Sequence, residues 1–198
     1  MKIGVLISGR GSNLSAIISA IKSKKIPAKI SCVISNRASA KGLEIAAINK
    51  IPAIFIDPKG LTREEYDHLL VNELKNNGVE LVCLAGFMRI ISPYFVKSFP
   101  NRIMNIHPAL LPSFPGLASQ KQALEYGAKI SGCTVHFVDE GCDTGPIILQ
   151  KAVPISEDDT EESLAKKILA EEYRLYPEAI SLFRQGRLKI EGRRVRII

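Results

Sequence analysis

Ile103-Met104-Asn105-Ile106-His107-Pro108 decides how the chain is read. Residues 103–106 form an apolar run of buried-strand type. Pro108 stops it, because proline has no N–H for a ladder and restricts the residue before it. Alternation along a strand places the Asn105 and His107 side chains on one face, at the run's carboxyl end. In an open α/β sheet that end is where ligands bind. An amide there can donate to a developing oxyanion, and an imidazole can move a proton near neutral pH. A carboxylate from the later glycine-containing loop at Asp143 could hold such an imidazole charged and oriented. Taken alone, His107 could cap a strand end and Asn105 make a turn. Their pairing, together with the Asp143 loop, favours the chemical reading.

Upstream, short apolar runs alternate with helical patterns. Residues 3–8 are a run of buried parallel-strand type. Gly9-Arg10-Gly11-Ser12-Asn13 follows, and residues 14–21 read as an amphipathic helix. A strand, a glycine turn and a helix N-terminus can cradle a phosphate, since free N–H groups and the helix dipole face the anion. The same order could be a plain βα turn with Asn13 as N-cap. The spacing fits neither G-x-G-x-x-G nor a P-loop, which favours a monophosphate over a dinucleotide or ATP. Residues 29–35 and 53–56 read as strands and 43–49 as a short helix. Thr62-Arg63-Glu64-Glu65 is a capping box opening a helix that runs to about Asn76. Arg63 falls in the first turn, where a cation is mildly unfavourable; solvent exposure or a carboxylate ligand would account for it. Residues 81–85 are another buried strand. The segment after it, Gly86-Phe87-Met88-Arg89-Ile90-Ile91, is either core or the wall of a pocket for a flat aromatic ligand. Ser92-Pro93 starts a short helix. This alternation implies an α/β fold with a mostly parallel, doubly wound sheet.

Downstream, residues 120–126 read as a helix ended by Gly127. Residues 131–138 alternate as a strand, Asp139-Glu140-Gly141-Cys142-Asp143-Thr144-Gly145-Pro146 is a tight acidic loop, and residues 147–153 return. This is an antiparallel excursion in the C-terminal half, with the loop at its tip. A last helix is predicted from about Thr160 to Arg184, kinked near Pro177. Glu172 lies on its apolar stripe. An inward carboxylate must be paired, with an internal arginine or with the hydroxyls or amine of a ligand.

The length, 198 residues, suits one domain. The net charge of +7 raises nucleic-acid binding, but its distribution argues against it. Arg184, Arg187, Lys189, Arg193, Arg194 and Arg196 face one acid, Glu191, within the last fifteen residues, so five of the seven charges sit there. A basic tail of this kind is expected to be a solvated edge. No apolar run approaches the ~20 residues of a membrane span. The N-terminal run is too short for a signal peptide, so a cytoplasmic protein without membrane or nucleic-acid partners is expected. Cys32, Cys83 and Cys133 lie in apolar runs and read as core residues; Cys142 sits in the acidic loop with no assigned role. The three acids of that loop lack a second His or Cys at ligand spacing, so no metal is expected.

Four blocks carry a family resemblance: Ser8-Gly9-Arg10-Gly11-Ser12-Asn13-Leu14, Ala85-Gly86-Phe87-Met88-Arg89-Ile90, Asn105-Ile106-His107-Pro108-Ala109-Leu110-Leu111-Pro112 and residues 139–146. Their combination resembles the phosphoribosylglycinamide formyltransferases, folate-dependent enzymes of purine synthesis. The resemblance implies 10-formyltetrahydrofolate as co-substrate, small-molecule substrates only, and a monomer or homodimer. It implies a single domain over residues 1–198: a phosphate-binding, Rossmann-like half at 1–100, and a catalytic and folate-binding half with the basic tail at 101–198. Gly11, Ser12 and Asn13 would hold the phosphate of glycinamide ribonucleotide and Glu172 its ribose hydroxyls. Arg63 would reach the folate glutamate tail. Met88, Arg89, Ile90 and Ile91 would line the pteridine pocket, with Asn105 also on the folate. Asn105, His107 and Asp143 would be catalytic. Ala109 and Tyr173 depart from the family pattern, which commonly has Ser and His there. Methionyl-tRNA formyltransferases share the catalytic trio but add a C-terminal RNA-binding domain, and formyltetrahydrofolate hydrolases usually add an N-terminal regulatory one; neither extra domain is expected here. A non-catalytic nucleotide-binding module would keep residues 9–13 without needing Asn105, His107 and Asp143 together.

Overall fold

The apolar runs and capping signals become regular elements with few changes of boundary. The computed structural model describes residues 1–198, which divide into two units, Met1–Asn105 and Ile106–Ile198. The first contains β1 (Lys2–Ile7), α1 (Ser12–Lys22), β2 (Lys29–Ser35), α2 (Lys41–Ile48), β3 (Ala53–Phe55), α3 (Arg63–Asn76), β4 (Leu81–Leu84) and α4 (Pro93–Ser98). β5 (Ile103–His107) runs across the boundary.

In the first unit the strands stand in the order β3-β2-β1-β4-β5, all parallel. Ile3, Val5, Leu6 and Ile7 of β1 and Leu81, Val82 and Cys83 of β4 have no exposure at all. Burial on both faces is what makes these strands read as continuous apolar runs. Chain order reverses at β1, which has β2 on one side and β4 on the other. The crevice beyond the carboxyl ends of β1 and β4 is therefore the switch point where such sheets take ligands. The Thr62 capping box forms as the sequence predicts, with Thr62 and Glu65 bonded reciprocally. Ser92 caps α4 and Pro93 occupies its first position. Asn13 is not the cap of α1: Gly11 is, in the left-handed conformation at φ 74. Its Cβ, if present, would come within 2.7 Å of the Gly42 Cα, so only glycine fits this approach.

The second unit holds α5 (Ser119–Tyr126), β6 (Ile130–Phe137), β7 (Ile147–Pro154), α6 (Glu161–Arg184), β8 (Leu188–Glu191) and β9 (Arg194–Ile197). β6 and β7 are antiparallel, the excursion expected from their alternation. α6 is one helix of 24 residues with Pro177 inside it, close to the expected bounds. The basic tail is a solvated edge, with all six of its cations exposed, and that edge is a regular hairpin: β8 runs against β9, and β9 is joined to β7 through Ile147 and Arg194. The fold class is therefore a mixed α/β sheet, mostly parallel, with antiparallel strands in the C-terminal part and helices flanking it. No helix is long and apolar enough to cross a membrane.

Candidate active site

In the first unit, Ser8, the residue after β1, is tied to the segment that follows β4: its N–H donates to the Gly86 carbonyl at 3.1 Å. Ser8, 3 % exposed, donates from Oγ to Asn36 Oδ1 at 2.6 Å and accepts the Met88 N–H at 2.8 Å. This places the segment after β4 beside the Gly9–Asn13 turn. The first turn of α1 has no side-chain cap and no acidic residue, which leaves it receptive to an anion. Gly11, Ser12 and Asn13 all lie in that turn, with Asn13 buried.

The segment 86–91 is not plain core. Met88 and Ile90 are 54 % and 58 % exposed, whereas Ile91 is buried. The Arg89 guanidinium stacks 4.7 Å from the centroid of the buried Tyr66 ring. Arg63 is the exposed first residue of α3. Beneath it on the same helix Asp67 is 2 % exposed and accepts the Ser92 N–H. Burial pushes the Asp67 carboxyl up, against the Ser92 hydrogen bonds and the Arg89 and Arg63 charges that pull it down. Asp67 thus ties α3 to the start of α4, a role its sequence position on the polar-looking α3 does not announce.

Asn105 and His107 are alternate residues of β5 and leave it on one face. Asn105 is half-buried and belongs to the first unit; His107, 4 % exposed, belongs to the second. Within the second unit His107 and Asp143 meet. The His107 Nδ1 stands 3.3 Å from Asp143 Oδ2, an ion-pair distance. Its other nitrogen, Nε2, lies 2.8 Å from the Phe114 carbonyl oxygen. A carbonyl oxygen and an ionised carboxylate only accept, so each ring nitrogen of His107 faces an acceptor.

Asp143 is built to stay ionised. Burial alone would raise its pKa. The polar contact with His136, the Gly116 N–H and the charges of His107 and His136 outweigh that and bring it down to about 2. Gly116 donates to Oδ2 at 2.9 Å, and His136 Nε2 lies 3.6 Å from Oδ1, a looser contact than a full hydrogen bond. His136 is 1 % exposed, and its Nδ1 lies 2.8 Å from the Phe137 carbonyl, to which it donates. Sequence reasoning passed over both His136 and Gly116. The signal for His136 was a histidine inside an apolar strand, just before the acidic loop. Gly116 acts through its backbone and leaves no trace in residue type.

The loop that carries Asp143 closes on itself through Asp139 Oδ1, which accepts from Gly141 N at 3.1 Å and Thr144 Oγ1 at 2.6 Å. A Cβ on Gly145 would collide with the Phe137 carbonyl. The exposed Cys142 thiol is raised by desolvation and by the neighbouring Asp143, so it is no activated nucleophile. Burial pushes the Cys133 thiol up to about 12, with help from Glu172 and Glu171. Glu172 itself is buried at 6 % on α6, and Tyr173 beside it is 41 % exposed.

Residues 1–180 match the formyl transferase family, a match that stops short of the β8–β9 hairpin. The chain is 46 % identical over 195 residues to the phosphoribosylglycinamide formyltransferase of Escherichia coli, covering 96 % of this chain and 90 % of that protein. It is 52 % identical over 191 residues to the trifunctional purine biosynthetic protein adenosine-3 of Drosophila pseudoobscura, covering 95 % of this chain but only 14 % of that much longer protein. The chain thus spans about a seventh of such trifunctional relatives. The crystal structure of glycinamide ribonucleotide transformylase 1 from Symbiobacterium toebii superposes with a TM-score of 0.99 at 56 % identity, covering 100 % of this chain and 94 % of that one. The chain belongs to the formyl transferase family, among the phosphoribosylglycinamide formyltransferases.

Proposed function

We propose that this protein transfers the formyl group of 10-formyltetrahydrofolate to the glycine amine of glycinamide ribonucleotide, a step of purine synthesis. The His107–Asp143 ion pair carries this reading, in a chain related to enzymes named for that activity. The amine, as free base, attacks the formyl carbon. The new C–N bond forms as the carbonyl electrons move onto oxygen. Asn105 donates to that oxyanion, and the His107 imidazolium, held by Asp143, adds its charge. Collapse breaks the bond to the folate nitrogen, which takes a proton relayed by His107. For this the substrate replaces the Phe114 carbonyl at Nε2. No covalent intermediate forms, in keeping with the unactivated Cys142.

On this reading Gly11, Ser12 and Asn13 hold the ribonucleotide phosphate and Glu172 its ribose hydroxyls. Arg63 takes the folate glutamate tail. Met88, Arg89, Ile90 and Ile91, with Asn105, border the pteridine. The partners are small molecules, with no nucleic acid, membrane or metal; the protein works in the cytoplasm as a monomer or homodimer.

The test follows folate absorbance with and without the ribonucleotide. Deformylation that requires the ribonucleotide supports transfer. Deformylation without it means hydrolysis, and none under either condition means a binding module; both results reject the proposal.

A further inference from the structure

The chain's charge excess sits in its last fifteen residues, and none of the residues assigned to the proposed site lies there. Those residues are nonetheless placed with care. β8 and β9 turn at Gly192, φ 60, and Arg193 at that turn donates from Nη2 to the Thr144 backbone carbonyl at 2.8 Å. Thr144 is the neighbour of Asp143. The hairpin also joins the strand leaving the loop, since Arg194 of β9 pairs with Ile147 of β7. Arg193 therefore reaches the loop from an element anchored to the loop's own exit strand.

Asp143 has a reason to be held. Its φ of 54 lies in the left-handed region, which a non-glycine residue keeps only where its surroundings over-determine it. The Asp139 bonds close the loop on itself but do not fix where it points. The Asp143 carboxylate anchors it to Gly116 and His107, yet that carboxylate is the group the reaction engages. The Arg193 bond holds the adjacent backbone without touching the chemistry, and a guanidinium donor strengthens it.

We propose that Arg193 is a positioning residue: through it the C-terminal hairpin pins the backbone beside Asp143 and keeps the Asp143 carboxylate on His107. The functional meaning of this rests on the formyl-transfer reading of the same site; the tether itself does not. Loss of the bond shifts the loop toward conformers in which the carboxylate leaves Gly116 and His107.

The Gly116 N–H, which donates to Asp143 Oδ2, reports that shift directly. Amide hydrogen exchange is measured by NMR on the full-length protein without substrate, for wild type, R193A and R193K. In R193A the Gly116 and Gly141 amides are expected to exchange about five-fold faster, the scale of one partly exposed charged hydrogen bond. The β6–β7 ladder amides, Cys133 among them, should keep their rates. R193K should restore most of the protection, because an ammonium also donates to a carbonyl. Unchanged Gly116 exchange in R193A would overturn the proposal. So would equal acceleration across the β6–β7 ladder, or no rescue by lysine. The wild-type formyl-transfer assay is run separately; its failure rejects the functional reading and leaves the exchange result standing.

Discussion

Asp143 Oδ2 lies 3.3 Å from His107 Nδ1 and accepts the Gly116 N–H at 2.9 Å with the same oxygen. One atom thus ties the loop after β6 to the end of β5 and to the segment before α5. The pairing serves two ends. It keeps the His107 ring oriented, and it makes the folded state depend on an ionised carboxylate.

That dependence fixes the behaviour in acid. The Asp143 pKa is about 2 in the folded protein, against an ordinary value of 3.8. A depressed carboxyl stabilises above its unfolded pKa and loses that contribution as pH falls through the folded one. The window is therefore about pH 4 down to about pH 2, and the contribution lost is about 2 kcal/mol. Asp143→Asn should flatten the denaturation free energy across this window relative to wild type. Parallel curves for the two proteins would refute the assignment.

Catalytic roles predict losses of rate with the fold intact. Asn105→Ala should lower kcat by about 10²–10³, the effect of removing one oxyanion donor. His107→Ala should lower it by about 10²–10⁴, the range for a general acid or base. Steady-state kinetics beside thermal melts checks both. Near-normal turnover in either variant removes that residue from the mechanism.

Asp67 should act on one substrate and not the other. Asp67→Ala leaves the buried Ser92 N–H unpaired, at a stability cost of about 1–3 kcal/mol. It also frees the segment with Met88 and Ile90 from α3. The folate KM should rise several-fold while the ribonucleotide KM stays level. Equal rises for both substrates would reduce Asp67 to a purely structural residue.

Gly145→Ala tests the loop by crowding. The added methyl meets the rigid Phe137 carbonyl, so the loop must shift. A cost of about 1–3 kcal/mol is expected, lowering Tm by roughly 2–4 °C per kcal/mol in a chain of this size. Activity should fall further than stability, because Asp143 moves with the backbone.

Cys142→Ser is the opposite case. The thiol donates weakly to Asp143 at 3.8 Å, which a hydroxyl can replace. Turnover is expected within about two-fold of wild type, a near-neutral surface change. A collapse in rate would point to a thiol function after all.

Much of this molecule was written in local pattern. Strand β2 and the capping box of α3 followed from apolar runs and caps, because such signals are satisfied among neighbours in the chain. Asn105 and His107 were legible together because a strand's alternation is local. The hairpin was not. Leu188, Ile190, Val195 and Ile197 alternate with charged residues, but the charge looked like a solvated tail, and edge strands carry such cations to avoid pairing with other chains. Only tertiary structure brought Asp143 to His107, set His136 and the Gly116 amide around it, sank Asp67 beneath Arg63, and carried Arg193 to Thr144. These contacts join residues distant in sequence and often use backbone atoms. Which groups meet depends on how strands register and helices pack, and residue type alone does not encode that.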